Sequence, residues 1–401
     1  MLLLKNIRLV DEFGERGLCD VLVAGGKIAD IGQSLNRTDA QIIDGGGAIL
    51  LPSFVDLHAH FRDPGLTHKE DIHTGCRAAA HGGYTTVNLM ANTKPVCSDM
   101  ETVRYAKAKA QECGLCDVYQ CVSITKDFDG ETIDHIDNLE DIKWLSDDGF
   151  GIQRSDIMLK AMVKAKECGI GLMLHEEDAA IFALDSYFGE DIHTLRDVRL
   201  AEITGCKVHF CHVSTADSMR YIIEGKRRMA QHHGVTSITC EVSPHHLFLC
   251  DENTGRVNPP LRSREHRQAL IEAVKAGYVD AIATDHAPHT PEDKLAGAPG
   301  FTGLDLAFAT CYTALVKPGH IDLSALSKLL SANPARLMGI AGGRIAVGEL
   351  ANLTLVDVDN PFIADESCIH SKSKNSPVLG MQLYGRILKT IKEGRITYET
   401  C

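Results

Sequence analysis

Asp56-Leu57-His58-Ala59-His60-Phe61-Arg62-Asp63-Pro64-Gly65 closes an apolar run formed by Ala48-Ile49-Leu50-Leu51 and Phe54-Val55. Side chains alternate across a strand with period two, so His58 and His60 face one side and can grip one ion together. Arg62 is the next residue on that side, a planar cation suited to holding a carboxylate through two parallel hydrogen bonds. A lone His-x-His is equally compatible with one strand histidine and one loop histidine, so the rest of the chain has to decide.

With 401 residues the chain exceeds one small core, and it suits one large α/β barrel with a smaller appendage. Hydrophobic residues make up 44%, charged residues 24%, and there are 35 glycines, a soluble globular composition. The formal charge of −13 offers no footprint for nucleic acid, and no basic run offers a membrane-surface patch, so neither is expected as a partner. No apolar run reaches the length of a membrane span. Met1-Leu2-Leu3-Leu4-Lys5-Asn6-Ile7 lacks a basic leader and a small-residue cleavage site and reads as a first strand, so a cytoplasmic protein is expected. The 14 cysteines are scattered, with Cys113-Gly114-Leu115-Cys116 the sole C-x-x-C and no second pair at zinc-finger spacing. They read as reduced, buried, small apolar residues.

The first fifty residues are short strands with glycine punctuation at Gly25-Gly26 and Gly45-Gly46-Gly47, and the same texture returns near the C-terminus over 348–350, 353–358, 387–392 and 395–398. Between them, short apolar runs alternate with longer amphipathic segments, the pattern of βα units around a parallel sheet. Eight runs can be counted: 54–58, 85–90, 118–124, 142–145, 171–175, 207–213, 237–242 and 280–284. The segments 156–168, 215–232, 264–276 and 304–317 are long enough for outer helices, and Ser155, Thr215 and Ser263 are capping residue types at or near their starts. The expected fold is α/β: a (β/α)8 TIM-type barrel over 52–342 and a small β-sandwich domain built from both chain ends, 1–51 plus 343–401, with 361–380 as loop.

In such a barrel the active site lies at the C-terminal ends of the strands. Strand one ends in His58 and His60, strand four runs into Asp147-Asp148-Gly149, strand five ends in His175, strand six in His212, and strand eight in Asp285-His286-Ala287-Pro288-His289. Each is a weak signal alone; four histidines and two carboxylates at five strand ends are hard to explain by packing. Imidazole and carboxylate without thiolate suit Zn²⁺, and ligand type alone leaves Mn²⁺ or Co²⁺ as substitutes. Six ligands exceed one tetrahedral ion, so two ions are expected, with His58, His60 and Asp285 on the first, His175 and His212 on the second, and one group shared. Such a pair supports hydrolysis or its reverse.

These strand ends resemble the amidohydrolase superfamily. Within it, His58 to Gly65, Asn88-Leu89-Met90-Ala91-Asn92-Thr93-Lys94-Pro95, Ser146-Asp147-Asp148-Gly149, Asn258-Pro259-Pro260-Leu261-Arg262 and Ala283-Thr284-Asp285-His286-Ala287-Pro288-His289 are similar to the dihydroorotases of the bacterial long-chain type. The resemblance spans about residues 1 to 395. It implies a metal shell of His58, His60, Asp148, His175, His212 and Asp285, with Asp148 bridging. Many relatives bridge with a carbamylated lysine; the nearest lysine here is Lys143, on the opposite strand face if the strand is regular. Asp147 is the competitor for the same role, because neighbouring residues face opposite sides.

The resemblance also implies substrate contacts from Arg62, Asn92, Asn258 and His289, with the backbone at Gly300 and Phe301 reading the ring amide. An acidic substrate such as dihydroorotate or N-carbamoyl-L-aspartate carries the carboxylate that Arg62 can hold. Asp285 then serves as ligand and as general base: it takes the proton of the attacking hydroxide shared by two Zn²⁺ per subunit and passes it to the departing ring nitrogen. In the cyclising direction Asp285 starts protonated, so cyclisation should prefer lower pH than ring opening. The stretch 290–298 reads either as a mobile lid or as a solvated loop. His245 and His246 are assigned supporting or packing roles, His286 the orientation of a ligand, Arg262 a carboxylate partner, and His73, His81, His135, His193, His232 and His233 the surface. Other readings are another cyclic amidase, of hydantoinase or allantoinase type, and a non-catalytic structural subunit. A homodimer is expected, and a transcarbamoylase is a candidate associate.

Overall fold

The computed structural model describes residues 1–234, 236–253 and 255–400. Eight parallel strands stand at the expected places: Phe54–Ala59, Tyr84–Leu89 and Asp117–Gln120 form one sheet, and Trp144–Leu145, Gly171–Leu174, Val208–Phe210, Ile238–Val242 and Ala281–Ile282 form another. The two arcs join at both seams through single parallel bridges, Val122 with Leu145 and Ala59 with His286, so the ring closes. Phe54–Ala59 is buried at every residue, as a strand covered on both faces must be. Val55, Leu57, Met90, Cys121, Trp144, Met173, Cys211, Ala281 and Ala283 form one cluster with Ala335 and Met338 of the helix Asn333–Met338.

The outer helices follow their caps. In Ala216–His233 the Thr215 side chain accepts from the Ser218 N–H, satisfying one of the free donors of the first turn. The expected cap Ser155 instead opens the helix Ser155–Glu167 as its first residue, behind Arg154, and Ser263 caps Arg264–Lys275 by backbone conformation, without a side-chain bond. The segment 304–317 is a tight turn Leu304–Leu306, a short α-helix Ala307–Cys311 and a wide turn Tyr312–Val316, not one regular helix.

The chain ends share one sheet. Leu2–Asp11 pairs with Gly14–Ala24, Gln41–Asp44 and Ile49–Pro52; Ile49–Pro52 pairs with Leu353–Asp357, which leads on to Arg386–Lys392 and Arg395–Glu399. Leu353 opposite Pro52 and Val356 opposite Ile49 are the register that ties the N-terminal strands of this sheet to its C-terminal strands. The passage 361–380, expected as loop, opens with the short strand Phe362–Ile363, which pairs with Gln382–Leu383 just beyond it, and between the two strands the chain runs to the barrel mouth. There the Asn375 side-chain amide donates to the Gly300 carbonyl at 2.9 Å.

Candidate active site

His58, His60, Asp148, His175, His212 and Asp285 all lie at the C-terminal ends of barrel strands, and all are buried. Two groups of donor atoms lie within 4.8 Å of one another, His58 with His60 and Asp148, and Asp148 with His175 and His212. Asp148 is common to both. Its Oδ1 is 3.4 Å from His58 Nε2, 3.5 Å from His175 Nδ1 and 3.2 Å from His212 Nε2, and its Oδ2 is 3.5 Å from His60 Nε2. Asp285 Oδ1 stands 3.2 Å from His60 Nε2 and 3.7 Å from His58 Nε2. His212 and Asp285 have backbone φ of +31° and +47°, as does Arg62 at +60°, so three of the residues aimed into the mouth sit in a conformation L-residues rarely adopt.

The partners on the far side of each ring set which nitrogen faces inward. His58 Nδ1 donates to Glu241 Oε1 at 2.9 Å, and His60 Nδ1 donates to Asn92 Oδ1 at 2.9 Å, which leaves both Nε2 lone pairs pointing at the cluster. His58 Nε2 is buried without a hydrogen-bond partner. His175 Nδ1 and His212 Nε2 are 3.0 Å apart, close to the spacing of about 3.3 Å between two nitrogens on one tetrahedral zinc. These buried nitrogens, gathered around two carboxylates, fit divalent ions of the Zn²⁺ type. Burial raises the Asp148 carboxyl, but His58, His175 and His212 outweigh it and hold it well below the ordinary range. Asp285 is likewise raised by burial and lowered further by the His60 hydrogen bond and the nearby His58 and His212 rings, so both carboxylates are ionised at neutral pH.

The competitors for the shared position are placed elsewhere. Lys143 Nζ lies 3.4 Å from Asp141 Oδ1 on a side chain 42% exposed, outside the barrel. Asp147 accepts the Ile124 N–H at 2.7 Å and the Thr125 N–H at 3.1 Å, bracing the loop after the third strand. Cys211 groups with His58 and Glu241, but burial pushes its thiol well up, so it stays protonated. Glu241 is held to about 2, its burial outweighed by bonds to His209 and His58.

The Arg62 side of the mouth is built on loops. Arg62 Nη2 lies 3.4 Å from His289 Nε2, and Lys69 Nζ lies 3.5 Å from His289 Nδ1. Burial first, then the charges of Arg62 and Lys69, push His289 down to about 4, so it is a neutral ring between two cations. Arg62 Nε is buried with no hydrogen-bond partner. Asn258 donates to Glu177 Oε2 at 2.8 Å, and Glu177 Oε2 is 3.2 Å from His175 Nε2; both residues line a cavity of about 340 Å³ together with Pro299. Gly300 has φ +137°, and a Cβ there would stand 2.6 Å from the Ala287 carbonyl, so only glycine fits. The Phe301 carbonyl accepts the Ala287 N–H at 2.8 Å.

Several supporting residues had no assigned part in the sequence reading. Glu241 carried a signal, a carboxylate inside the apolar run of the seventh strand. Glu177, Lys69 and Asn375 carried none. His193 was expected at the surface; it is buried, with Nδ1 2.9 Å from Glu176 and Nε2 donating to the Ile152 carbonyl at 3.1 Å. The His286 ring faces away from the cluster, with Nδ1 accepting from the Gly303 N–H at 3.1 Å and Nε2 3.4 Å from Glu70, while its backbone carbonyl accepts the His60 N–H at 2.8 Å. Arg262 pairs with buried Glu190 at 3.0 Å. His246 spans Ser243 Oγ at 2.6 Å and the Pro259 carbonyl at 3.1 Å, directly behind Asn258.

Comparison with known proteins agrees with this geometry. Residues 49–397 match the amidohydrolase family. A dihydroorotase of Clostridium botulinum is 46% identical over 403 residues, covering 99% of each chain, and one of Brevibacillus brevis is 40% identical over 428 residues, again with 99% of each covered. Among solved structures, an L-hydantoinase (dihydropyrimidinase) from Arthrobacter aurescens superposes with a TM-score of 0.88 at 26% identity, over 99% of this chain and 96% of that one. Among the described residues no helix is long and apolar enough to cross a membrane. The family implies a divalent metal and a small-molecule substrate, and the chain belongs to the amidohydrolase family and, within it, to the dihydroorotases.

Proposed function

We propose that the chain interconverts N-carbamoyl-L-aspartate and (S)-dihydroorotate, with two Zn²⁺ held by His58, His60 and Asp285 and by His175 and His212, and Asp148 shared. The observation that carries this reading is Arg62: its guanidinium has an unpaired buried Nε and lies beside both His289 and the carboxylates of the cluster. An anionic substrate answers that cation. A neutral cyclic ureide would leave it buried and unpaired.

Bound divalent ions would supply an activated water and polarise the reacting carbonyl. The chain's own residues do the rest. Arg62 holds the substrate carboxylate, with His289 beside it as a neutral ring. Asn258 is fixed by Glu177, which also reaches His175, and offers its amide to the substrate from that side. Asp285, ionised and buried, accepts a proton from the attacking water and returns it to the departing ring nitrogen; in the cyclising direction it starts protonated and the transfer reverses. Cyclisation is therefore favoured at lower pH than ring opening.

The test is dihydroorotate hydrolysis alongside metal content. Chelation should abolish turnover and Zn²⁺ should restore it; full activity in metal-free protein would overturn the reading. Asp285→Asn should bind substrate and lose about 10²- to 10⁴-fold in kcat. Near-normal turnover in that variant would remove Asp285 from the proton path.

A further inference from the structure

A second group of metal-type donors lies away from the mouth cluster. His81 is the last residue of the helix Ile72–His81, Asp305 lies in the turn Leu304–Leu306, and His370 follows the turn Glu366–Cys368. Asp305 Oδ1 is 3.0 Å from His81 Nδ1 and 3.7 Å from His370 Nδ1, and the three donor atoms lie within 4.8 Å of one another. The two imidazoles are stacked, with centroids 4.1 Å apart and planes 25° from parallel, so both Nδ1 atoms approach the same carboxylate. His81 Nδ1 is buried and makes no hydrogen bond. All three side chains line one cavity of about 390 Å³, between the barrel and the C-terminal strands; none of the mouth ligands lines it.

His81 Nδ1 lies 3.0 Å from Asp305 Oδ1 without forming a hydrogen bond, so in this geometry a proton does not bridge the pair. A cation between them would take a lone pair from each ring and charge from the carboxylate. The present 3.0 Å and 3.7 Å separations bracket the spacing of about 3.3 Å between ligands on tetrahedral zinc. Arg386, the guanidinium among the cavity-lining residues, lies over the Phe362 ring, and Glu399 adds a carboxylate to the same lining.

We propose that His81, Asp305 and His370 form a divalent-cation site of the Zn²⁺ type, distinct from the mouth, with its remaining coordination position open to this cavity. Asp305 also accepts the His370 N–H at 2.7 Å and the Ser371 N–H at 3.4 Å, so an ion held there would pin the start of the 370–375 segment. That segment ends at Asn375, which holds Gly300 and Thr302. The ion's part is structural and independent of the reaction at the mouth.

The test is zinc content of the metal-loaded full chain after dialysis against micromolar free Zn²⁺, compared with His370→Ala and His81→Gln. His370 is on the cavity rim and its side chain is 40% exposed, so its variant loses chiefly the ring contacts to His81 and Tyr398. Wild type should hold about one Zn²⁺ per chain more than either variant, and the variants should keep the mouth's own complement, which reports that they are folded. Added Zn²⁺ should raise the thermal midpoint of the mouth-loaded wild type and leave that of His370→Ala unchanged. Equal zinc content in all three proteins, or an equal thermal response, would overturn the site.

Discussion

The two halves of the mouth are built on different principles. The histidine–carboxylate half hangs from strand ends: each donor is buried, and His58 and His60 are braced from behind by Glu241 and Asn92. The anion half, with Arg62, Lys69, His289 and Gly300, sits on loops and is braced from far along the chain, where Asn375 holds the Gly300 carbonyl and Ser373 bonds the His289 carbonyl. A barrel strand cannot move without breaking its neighbours' ladders, whereas a loop keeps its shape only while its props stay in place. The first half should therefore fail by losing metal, and the second by losing substrate affinity.

The sharpest way to break that contrast is Asp148→Ala. Because both donor groups use Asp148, the variant should lose more than about 100-fold in affinity for metal at both positions together, read by zinc content against free Zn²⁺. Loss of one metal alone would show that Asp148 is not shared. On the anion side, Arg62→Ala should keep its zinc and lose about 100-fold in kcat/KM for dihydroorotate, the worth of a charge-assisted pair. An equal loss of zinc would erase the distinction between the halves.

A smaller effect separates the halves by pH. Burial pushes His246 down to about 4 from an ordinary 6.5. Between those values the unfolded chain binds a proton that the folded chain refuses, so the neutral ring's contribution is complete above 6.5 and lost as the pH falls towards 4. From pH 7.5 to pH 5 wild type should lose about 2 kcal/mol through this residue, measured by urea unfolding, and His246→Gln should lose correspondingly less. Parallel pH slopes would contradict it. The smallest change is expected from Asn375→Ala, which removes a prop but no substrate contact: KM for dihydroorotate should rise about 5- to 10-fold with kcat nearly kept. A fall in kcat alone would place Asn375 in the chemistry.

Much of the metal half was legible in the chain. Residues ending apolar runs at βα spacing must project at one end of a closed ring, so His58, His60, His175, His212 and Asp285 could be grouped without coordinates. The eight strands lie where the runs predicted them, because strands buried on both faces need continuous apolar sequence. The sequence left two alternatives to Asp148 for the shared position, Lys143 and Asp147. The irregular turn after Trp144–Leu145 sends Asp147 to the loop at Ile124 and Thr125 and Asp148 into the cluster, and a period-two argument cannot follow a chain that has left the strand.

What the sequence by itself determined is thus the periodic part: the strand positions, the gathering of histidines and Asp285 at the strand ends and Arg62 beside them, all governed by local alternation and βα repetition. Tertiary structure alone decided what depends on contacts between distant segments: the bracing of His58 by Glu241, the descent of His289 between Arg62 and Lys69, the reach of Asn375 across the mouth, and the meeting of His81, Asp305 and His370. No local periodicity links those residues, so only the folded chain brings them together.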